Sequence, residues 1–415
     1  MRAYLPKAFA AGLAGLLSAC APGATNVYPA VRAAAANDTR PAVIFVHGYY
    51  GSALRDLNTK ERLFVTPWQT LWGKRPIALN SAELGARPSP ALEVEGLFGS
   101  VAVLPFVYGL TIYSPLMDSL SQNGKQNAVA YSYDWRQDLQ PAAAGLADLV
   151  ESLKKAGAPR VSIVAHSMGG LVTAYYLGYG RQPVESAKLN WEGARGVSRV
   201  VFLGTPFRGA MSILRNMQHG TGYPWNKDLL EPETVSSWGA SYHILPLLDD
   251  DILGPDGRPR AIDIGREKTW TEWKLGYYHL TAPSPAAAAA RSAYVKKELT
   301  TAARFLSLVQ LEGVAPPASL KILNVTGEGK PTLAKAYAHE AKRELLFLEG
   351  DLEKIGKSYA SLQEDGDGTV PLDSAALPAA LEDQGVEIRS NFAHDKLFLD
   401  PKIEKEYQHF LEGSA

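Results

Sequence analysis

The stretch Val161-Ser162-Ile163-Val164-Ala165-His166-Ser167-Met168-Gly169-Gly170 decides the fold. Its first five residues predict a buried strand, and the apolar spacing from Leu171 to Leu177 predicts a helix. Ser167 therefore lies at a strand-to-helix turn with small residues, Ala165 and Gly169, two positions before and after it. This pattern is typical of the nucleophile elbow, although glycine is usual where Ala165 stands. The alternative is that Ser167 only caps the helix.

Strands and helices alternate on both sides of this turn. Strands are predicted at 42–46, 128–133, 161–165, 200–203, 320–325 and 385–389, and helices at 140–157, 171–177 and 401–411. The alternation predicts an α/β fold with a mostly parallel central sheet and helices on both faces. Two long segments, about 53–115 and 208–311, do not follow it and are interpreted as insertions that form a cap or lid. Within the second, the alanine-rich tract 285–290 predicts the start of a helix.

The partners of a nucleophilic serine follow it in the chain. Folds built around such an elbow place the residues in the order serine, acid, histidine. His394 lies after a late predicted strand and before the closing helix, which is the position of the base. The glycine-rich segment 365–371 offers Asp365 and Asp367 as candidates for the acid, whose buried carboxylate would fix the imidazole and stabilise its cation.

An oxyanion hole requires two backbone amides near the nucleophile. The amide of Met168, the residue after Ser167, is predicted to be one donor. The second donor is expected in the loop after the first central strand, His47-Gly48-Tyr49-Tyr50-Gly51, where it is the amide of Tyr49 or of Tyr50. The glycines that flank the tyrosines let the backbone approach a substrate closely.

Composition excludes several classes of protein. The 415 residues are 46% hydrophobic, and Lys+Arg 42 against Asp+Glu 43 gives a net charge of −1, so neither wholesale disorder nor nucleic-acid binding is expected. The single cysteine and the absence of His/Cys metal spacing predict no metal site and no cofactor. The segment around Asp365 resembles a calcium loop, but that register puts Gln363 and Ser374 at positions that require carboxylates.

The N-terminus is predicted to be a bacterial lipoprotein signal peptide covering residues 1–19. Arg2 and Lys7 precede a short apolar run that is too short to span a bilayer. The run ends in Leu17-Ser18-Ala19-Cys20, which resembles a lipobox, so Cys20 is the expected lipidation site. Residues 20–40 are interpreted as a lipidated tether and 41–415 as the folded domain, anchored in the bacterial envelope, at the outer membrane. The alternative is an ordinary signal peptide with an incidental cysteine.

Several motifs in order resemble the lecithin:cholesterol acyltransferase family, the branch of α/β-hydrolases that includes lysosomal phospholipase A2. They are Val46–Ser52, Tyr133-Asp134-Trp135-Arg136, Ala165–Gly170, Leu203-Gly204-Thr205-Pro206-Phe207-Arg208-Gly209 and Gly366-Asp367-Gly368-Thr369-Val370. His47 departs from the proline usual in the family. The resemblance implies an α/β-hydrolase fold, assigns the acid to Asp367 rather than Asp365, and gives His394 the position of the base.

The same resemblance implies acyl transfer from a lipid ester through an acyl-serine, with water or a lipid alcohol as the acceptor. The expected activity is therefore that of a serine-dependent lipid acyl hydrolase or O-acyltransferase on phospholipid or acylglycerol esters. One alternative is a carboxylesterase for small soluble esters. Another, from a different class, is a non-catalytic lipoprotein of the same fold that serves as a binding module. The chain has no cysteines for the lid disulfide of the eukaryotic members.

Overall fold

The computed structural model describes residues 25–30, 38–64, 77–86, 88–101, 113–121, 124–221, 230–247 and 252–413. Its strands are β1 (Thr25–Pro29), β2 (Ala42–Val46), β3 (Ser52–Asp56), β4 (Arg62–Phe64), β5 (Leu92–Val101), β6 (Asn127–Tyr131), β7 (Val161–His166), β8 (Arg199–Leu203), β9 (Ile252–Leu253), β10 (Lys321–Gly327), β11 (Lys330–Leu333), β12 (Ala336–His339), β13 (Glu344–Leu346), β14 (Gln363–Gly366) and β15 (Gly385–Ser390). Its α-helices are α1 (Ser81–Leu84), α2 (Ser114–Ser121), α3 (Leu139–Lys155), α4 (Met168–Tyr179), α5 (Met211–His219), α6 (Pro232–Ser236), α7 (Gly239–Tyr242), α8 (Glu267–Glu272), α9 (Pro285–Val309), α10 (Glu349–Glu353), α11 (Leu372–Ala375), α12 (Ala379–Glu382) and α13 (Pro401–Glu412).

The central sheet has six parallel strands in the order β15-β10-β8-β7-β2-β6. Strands β2, β7 and β8 are buried along their whole length, as expected for the uninterrupted apolar run of β2. Because all six strands run in the same direction, their carboxyl ends meet at one edge of the sheet. The turn at Ser167 and the loops after β2, β8 and β10 therefore lie close together.

Helices cover both faces of this sheet, and the alternation of side chains along each strand separates two apolar clusters. Ile44 and Val46 pack on the side of α3 and α4, together with residues such as Leu146. Val43 and Phe45 face the other side, where Leu116 of α2 and the α13 residues Ile403 and Tyr407 pack against them. The predicted α/β-hydrolase fold, with a mostly parallel sheet between two layers of helices, is confirmed.

The two segments interpreted as insertions contain folded structure of their own. Strands β3 and β5, within or next to the first, form an antiparallel sheet with β1 and β4 in the order β1-β5-β3-β4. The second contains α5 to α9, and its longest helix, α9, begins at Pro285 in the alanine-rich tract, as predicted. The side chain of Ser284 caps this helix by accepting a hydrogen bond from the amide of Ala287, 3.1 Å away. Whether these segments act as a lid stays a prediction.

The interpretation of residues 20–40 as a tether needs correction over Thr25–Pro29. These residues form an edge strand, β1, that pairs antiparallel with β5, so Thr25 faces Val101 and Pro29 faces Gly96. Because β1 is formed by pairing with a strand about 70 residues away, the local sequence carries no apolar periodicity that would predict it. The predicted signal peptide and Cys20 lie outside the described residues. Within the described part of the chain, no helix is both long and apolar enough to cross a membrane.

Candidate active site

Ser167 occupies a strained turn between β7 and α4. Its φ of 54° and ψ of −129° are rare for a residue with a side chain, and such strain is typical of functional turns. The turn brings the backbone of α4 against neighbouring loops, and a Cβ atom added at Gly169 would overlap the carbonyl oxygens of Val46 and His47. At Gly170 it would overlap the side chain of Thr205. The small residues after Ser167 are therefore required by packing.

The base and the serine are in hydrogen-bond contact. His394 Nε2 lies 2.8 Å from Ser167 Oγ, and His394 Nδ1 lies 2.6 Å from Oδ2 of Asp367. Because the carboxylate can only accept, Nδ1 carries the proton and Nε2 is free to accept from the serine hydroxyl. The amide of His394 also donates to the backbone oxygen of Asp367 at 3.0 Å. The structure thus brings together the three side chains predicted to react, although 227 residues separate Ser167 from His394.

Of the two acid candidates, only Asp367 reaches the histidine. Its side chain is buried, and Oδ1 accepts hydrogen bonds from the amides of Thr369 at 2.9 Å and Val370 at 2.7 Å. Asp365 is exposed, and its carboxylate instead accepts from the amides of Gly329 and Gly366 within the neighbouring turn. Residues two apart in a strand share a face, but β14 ends at Gly366 and Asp367 lies in the turn that follows, so the two carboxylates point in different directions.

Two glycines make room for this pair. A Cβ atom at Gly327 would overlap the side chain of Asp367. Gly204 has a φ of +59°, and a Cβ atom there would lie 3.1 Å from both Asp367 Oδ2 and His394 Nδ1. Sequence reasoning did not assign a role to either glycine. The position of Gly204 at the end of a buried strand, before Thr205-Pro206, is the signal that could have indicated it.

The electrostatics of the pair favour an ionised acid. Burial alone would lower the pKa of His394, but the charge of Asp367 and its hydrogen bond outweigh burial and raise that pKa above its usual value. Burial would raise the pKa of Asp367, yet the interaction with His394 and the two amide hydrogen bonds together lower it. Asp367 is therefore an anion at neutral pH and stabilises positive charge on His394.

Met168 and Gly48, at the start of the loop after β2, lie next to Ser167. Met168 is the first residue of α4, where backbone amides point away from the helix. The loop after β2 also touches the nucleophile, since a Cβ atom at Gly48 would lie 2.8 Å from Ser167 Cβ. The amide of Gly48 itself donates to the hydroxyl of Tyr113 at 3.2 Å. The choice between Tyr49 and Tyr50 as the second donor stays open.

The side chains of the two tyrosines pack into an aromatic cluster. The Tyr49 hydroxyl lies 2.6 Å from Ser241 Oγ, and burial raises its pKa. The Tyr50 ring lies 4.9 Å from the ring of Trp135 and 5.8 Å from that of Phe64. These contacts hold the side chains of the loop in the aromatic cluster.

The motif Tyr133–Arg136 packs against the loop after β2 and holds it in place. The His47 ring stacks on Tyr133 with centroids 4.3 Å apart, and its Nε2 accepts from the Tyr133 amide at 3.3 Å. The Trp135 indole donates to the backbone oxygen of Ser52 at 3.0 Å. Burial lowers the pKa of His47 to about 4, so its ring is neutral at neutral pH. His47, which replaces the usual proline, is thus a structural support for the loop.

In the described part of the chain, no group of three or more histidine, cysteine, aspartate or glutamate side chains is arranged to hold a metal ion. The chemistry available at the site is that of an activated serine beside a histidine–carboxylate pair.

Known proteins resemble this chain in sequence and in fold. The sequence model of the family described as "Lecithin:cholesterol acyltransferase" matches residues 77–254, which include Ser167. An uncharacterized protein of Saccharomyces cerevisiae, YJR098C, is 25% identical over 213 residues, 51% of this chain and 30% of that protein. The lecithin-cholesterol acyltransferase-like protein 4 of Arabidopsis thaliana is 23% identical over 277 residues, 59% of this chain and 48% of that protein. The chain thus spans less than half the length of these curated relatives.

One solved structure shows the same fold. A chain of the Tle4–Tli4 complex superposes with a TM-score of 0.52 at 13% identity, covering 88% of this chain and 96% of that one.

Proposed function

The chain is a relative of the lecithin:cholesterol acyltransferase family with an α/β-hydrolase fold, and from this premise we propose that it is a serine-dependent acyl hydrolase or O-acyltransferase of lipid esters. The observation that carries the proposal is the continuous chain of hydrogen bonds from Ser167 Oγ through the His394 ring to Asp367. Phospholipids or acylglycerols are the proposed acyl donors, and water or a lipid alcohol is the acceptor.

The acylation step begins at Ser167. Its Oγ attacks the ester carbonyl carbon while His394 Nε2 takes the hydroxyl proton, and the carbonyl π electrons move onto oxygen. The resulting oxyanion is held by the amide of Met168 and by that of Tyr49 or Tyr50. Collapse of this intermediate breaks the bond to the leaving alcohol, which receives the proton from His394. The products are an acyl-serine and a free alcohol such as a lysolipid.

Deacylation repeats these steps with an acceptor hydroxyl. His394 takes the proton of water or of a lipid alcohol, the acceptor oxygen attacks the acyl-serine, and the proton returns to Ser167 Oγ as the ester bond to serine breaks. Asp367 keeps its negative charge throughout and stabilises the imidazolium. Water yields a free fatty acid, whereas an alcohol yields a new ester.

Location at a membrane forms part of the proposal. With Cys20 lipidated, only Ala21, Pro22, Gly23 and Ala24 would separate the anchor from β1. Four residues reach at most about 14 Å, so the enzyme would be held close to the lipid surface of the bacterial envelope. Two or more acyl chains make such an anchor stable, and the tethering raises the effective concentration of lipid substrate.

The anchor is tested by changing Cys20→Ser in the bacterial host. We expect the wild type to incorporate an alkyne-labelled fatty acid and to sediment with membranes. The variant should lose both properties, yet hydrolyse a soluble ester at the wild-type rate. Equal labelling of the two proteins would contradict lipidation at Cys20.

The substrate class is tested with purified wild type and Ser167→Ala on two kinds of ester. Phospholipid vesicles, with and without an added long-chain alcohol, are compared with a short-chain nitrophenyl ester, and products are identified by mass spectrometry. We expect wild type to release fatty acid and lysolipid, and the alcohol to divert acyl chains into a new ester if the enzyme is a transferase. Turnover of the soluble ester with no attack on vesicles would support the carboxylesterase instead.

A further inference from the structure

His166, the residue before the nucleophile, makes contacts that the chemistry above does not use. It is the last residue of β7, and its side chain is buried. Its Nε2 lies 2.9 Å from the backbone oxygen of His394, and its Nδ1 lies 3.0 Å from the hydroxyl of Tyr113. That hydroxyl in turn lies 3.2 Å from the amide of Gly48. One imidazole thus lies between the base and the loop that touches Ser167.

The direction of each hydrogen bond follows from the groups at the two ends. A backbone carbonyl can only accept, so Nε2 of His166 carries a proton and donates to His394. A neutral imidazole then has Nδ1 as its acceptor, so the Tyr113 hydroxyl donates to it. The Gly48 amide can only donate, and the same hydroxyl oxygen accepts from it. All three hydrogen bonds are satisfied by one tautomer of His166.

The ring remains neutral in this setting. Burial, reinforced by the charge that His394 carries when it is protonated, lowers the pKa of His166 to about 3. The ring also packs edge-on against Phe398 and lies 4.9 Å from the ring of His394. A buried neutral imidazole with both nitrogens in hydrogen bonds cannot turn without losing them, so its position is fixed.

We propose that His166 and Tyr113 are positioning residues that hold the base and the oxyanion loop in register with Ser167. Through the His394 carbonyl, His166 fixes the backbone that carries the base, and through Tyr113 it fixes Gly48 at the start of the loop with the second oxyanion donor. This inference rests on the proposed function. Because their hydrogen bonds reach the backbone of His394 and of Gly48, their effect is expected on the rate of reaction at Ser167 rather than on substrate binding.

The test compares three variants of these residues by their rate of labelling with a fluorophosphonate and by kcat and KM for a soluble ester. His166→Phe keeps a ring of similar size but no polar atoms, whereas His166→Gln keeps an amide donor that can reach the His394 carbonyl. We expect His166→Phe to lower kcat and the labelling rate about 10- to 100-fold with KM unchanged. His166→Gln should recover most of this loss, and Tyr113→Phe should lower kcat by a smaller factor.

A buried histidine away from the site provides the control. His243 is also fully buried, and its ring stacks on Phe305 with centroids 4.6 Å apart. We expect His243→Phe to change thermal stability without changing the labelling rate. Should His166→Phe fail to fold, Tyr113→Phe still decides the question.

Two outcomes would overturn the inference while leaving the proposed function intact. The first is that His166→Phe and Tyr113→Phe are labelled at the wild-type rate. The second is that His166→Phe and His166→Gln lose kcat and labelling rate equally, which would mean that only ring packing matters. Absence of labelling in wild type would instead refute the proposed function itself.

Discussion

Replacing Gly204 by alanine is expected to disable the site without unfolding the protein. At a φ of +59°, an alanine costs about 1 to 2 kcal/mol relative to glycine. The added methyl group would also lie 2.8 Å from Leu397 Cδ1 and 3.1 Å from both atoms of the Asp367–His394 hydrogen bond. A Cβ atom is rarely found this close to a neighbouring atom, so the carboxylate and the imidazole must move away from the new methyl group by a few tenths of an ångström.

This displacement should act mainly on the reaction rate. A misplacement approaching 1 Å in a catalytic group lowers a rate about 100-fold, so we expect kcat and the fluorophosphonate labelling rate to fall by about 10- to 100-fold. Gly356→Ala is the matched control, because Gly356 has a φ of +69° but no neighbouring heavy atom within 4 Å of the added Cβ. Both variants carry the same backbone cost in urea unfolding, and Gly204→Ala should lose more stability because it adds a steric overlap. Equal labelling rates in the two variants would refute the argument that Gly204 makes room for the acid–base pair.

Two further predictions concern ionisation. Asp367→Asn should lower kcat by about 10³- to 10⁴-fold. Because the carboxylate raises the pKa of His394, the acid limb of the variant's pH–rate profile should move to lower pH. Asp365→Asn is the control, and a comparable loss of kcat there would contradict the assignment of the acid. Glu298 is buried, and burial together with the charge of Asp138 raises its pKa to about 7. Because this carboxyl keeps its proton in the folded state up to about pH 7, the stability of the fold is expected to fall as pH rises from about 4.5 to 7. Glu298→Gln should increase the free energy of unfolding at pH 8 by up to about 3 kcal/mol, with less effect at pH 5. Equal effects at both pH values would contradict that pKa.

The strands of the central sheet could be located from the sequence because they are buried on both faces and their apolar runs are continuous. The strand at Ala42–Val46 has the limits that the sequence predicts. The strand predicted at 128–133 ends earlier, at Tyr131, because Tyr133 turns away to donate hydrogen bonds to His47 through its amide and its hydroxyl. A contact with a residue so far away in sequence leaves no local signal.

The candidate site was predictable where chain order or local pattern constrains it. The elbow indicated Ser167, and the late loop before the closing helix indicated His394. The residues alone left Asp365 and Asp367 open, and the choice depends on which carboxylate reaches a histidine 27 residues further along the chain. The role of His166 depends on such long-range contacts, about which sequence patterns carry no information. For Gly204 the sequence offers its position at the end of a buried strand, but not the identity of the residues it approaches.

Reaction of Ser167 with a fluorophosphonate tests the central claim most directly. Intact mass is measured for folded, detergent-treated wild type and Ser167→Ala after the same incubation. An activated serine predicts one adduct on wild type and none on the variant. No adduct on wild type, or equal adducts on both proteins, would contradict the claim that His394 and Asp367 activate Ser167.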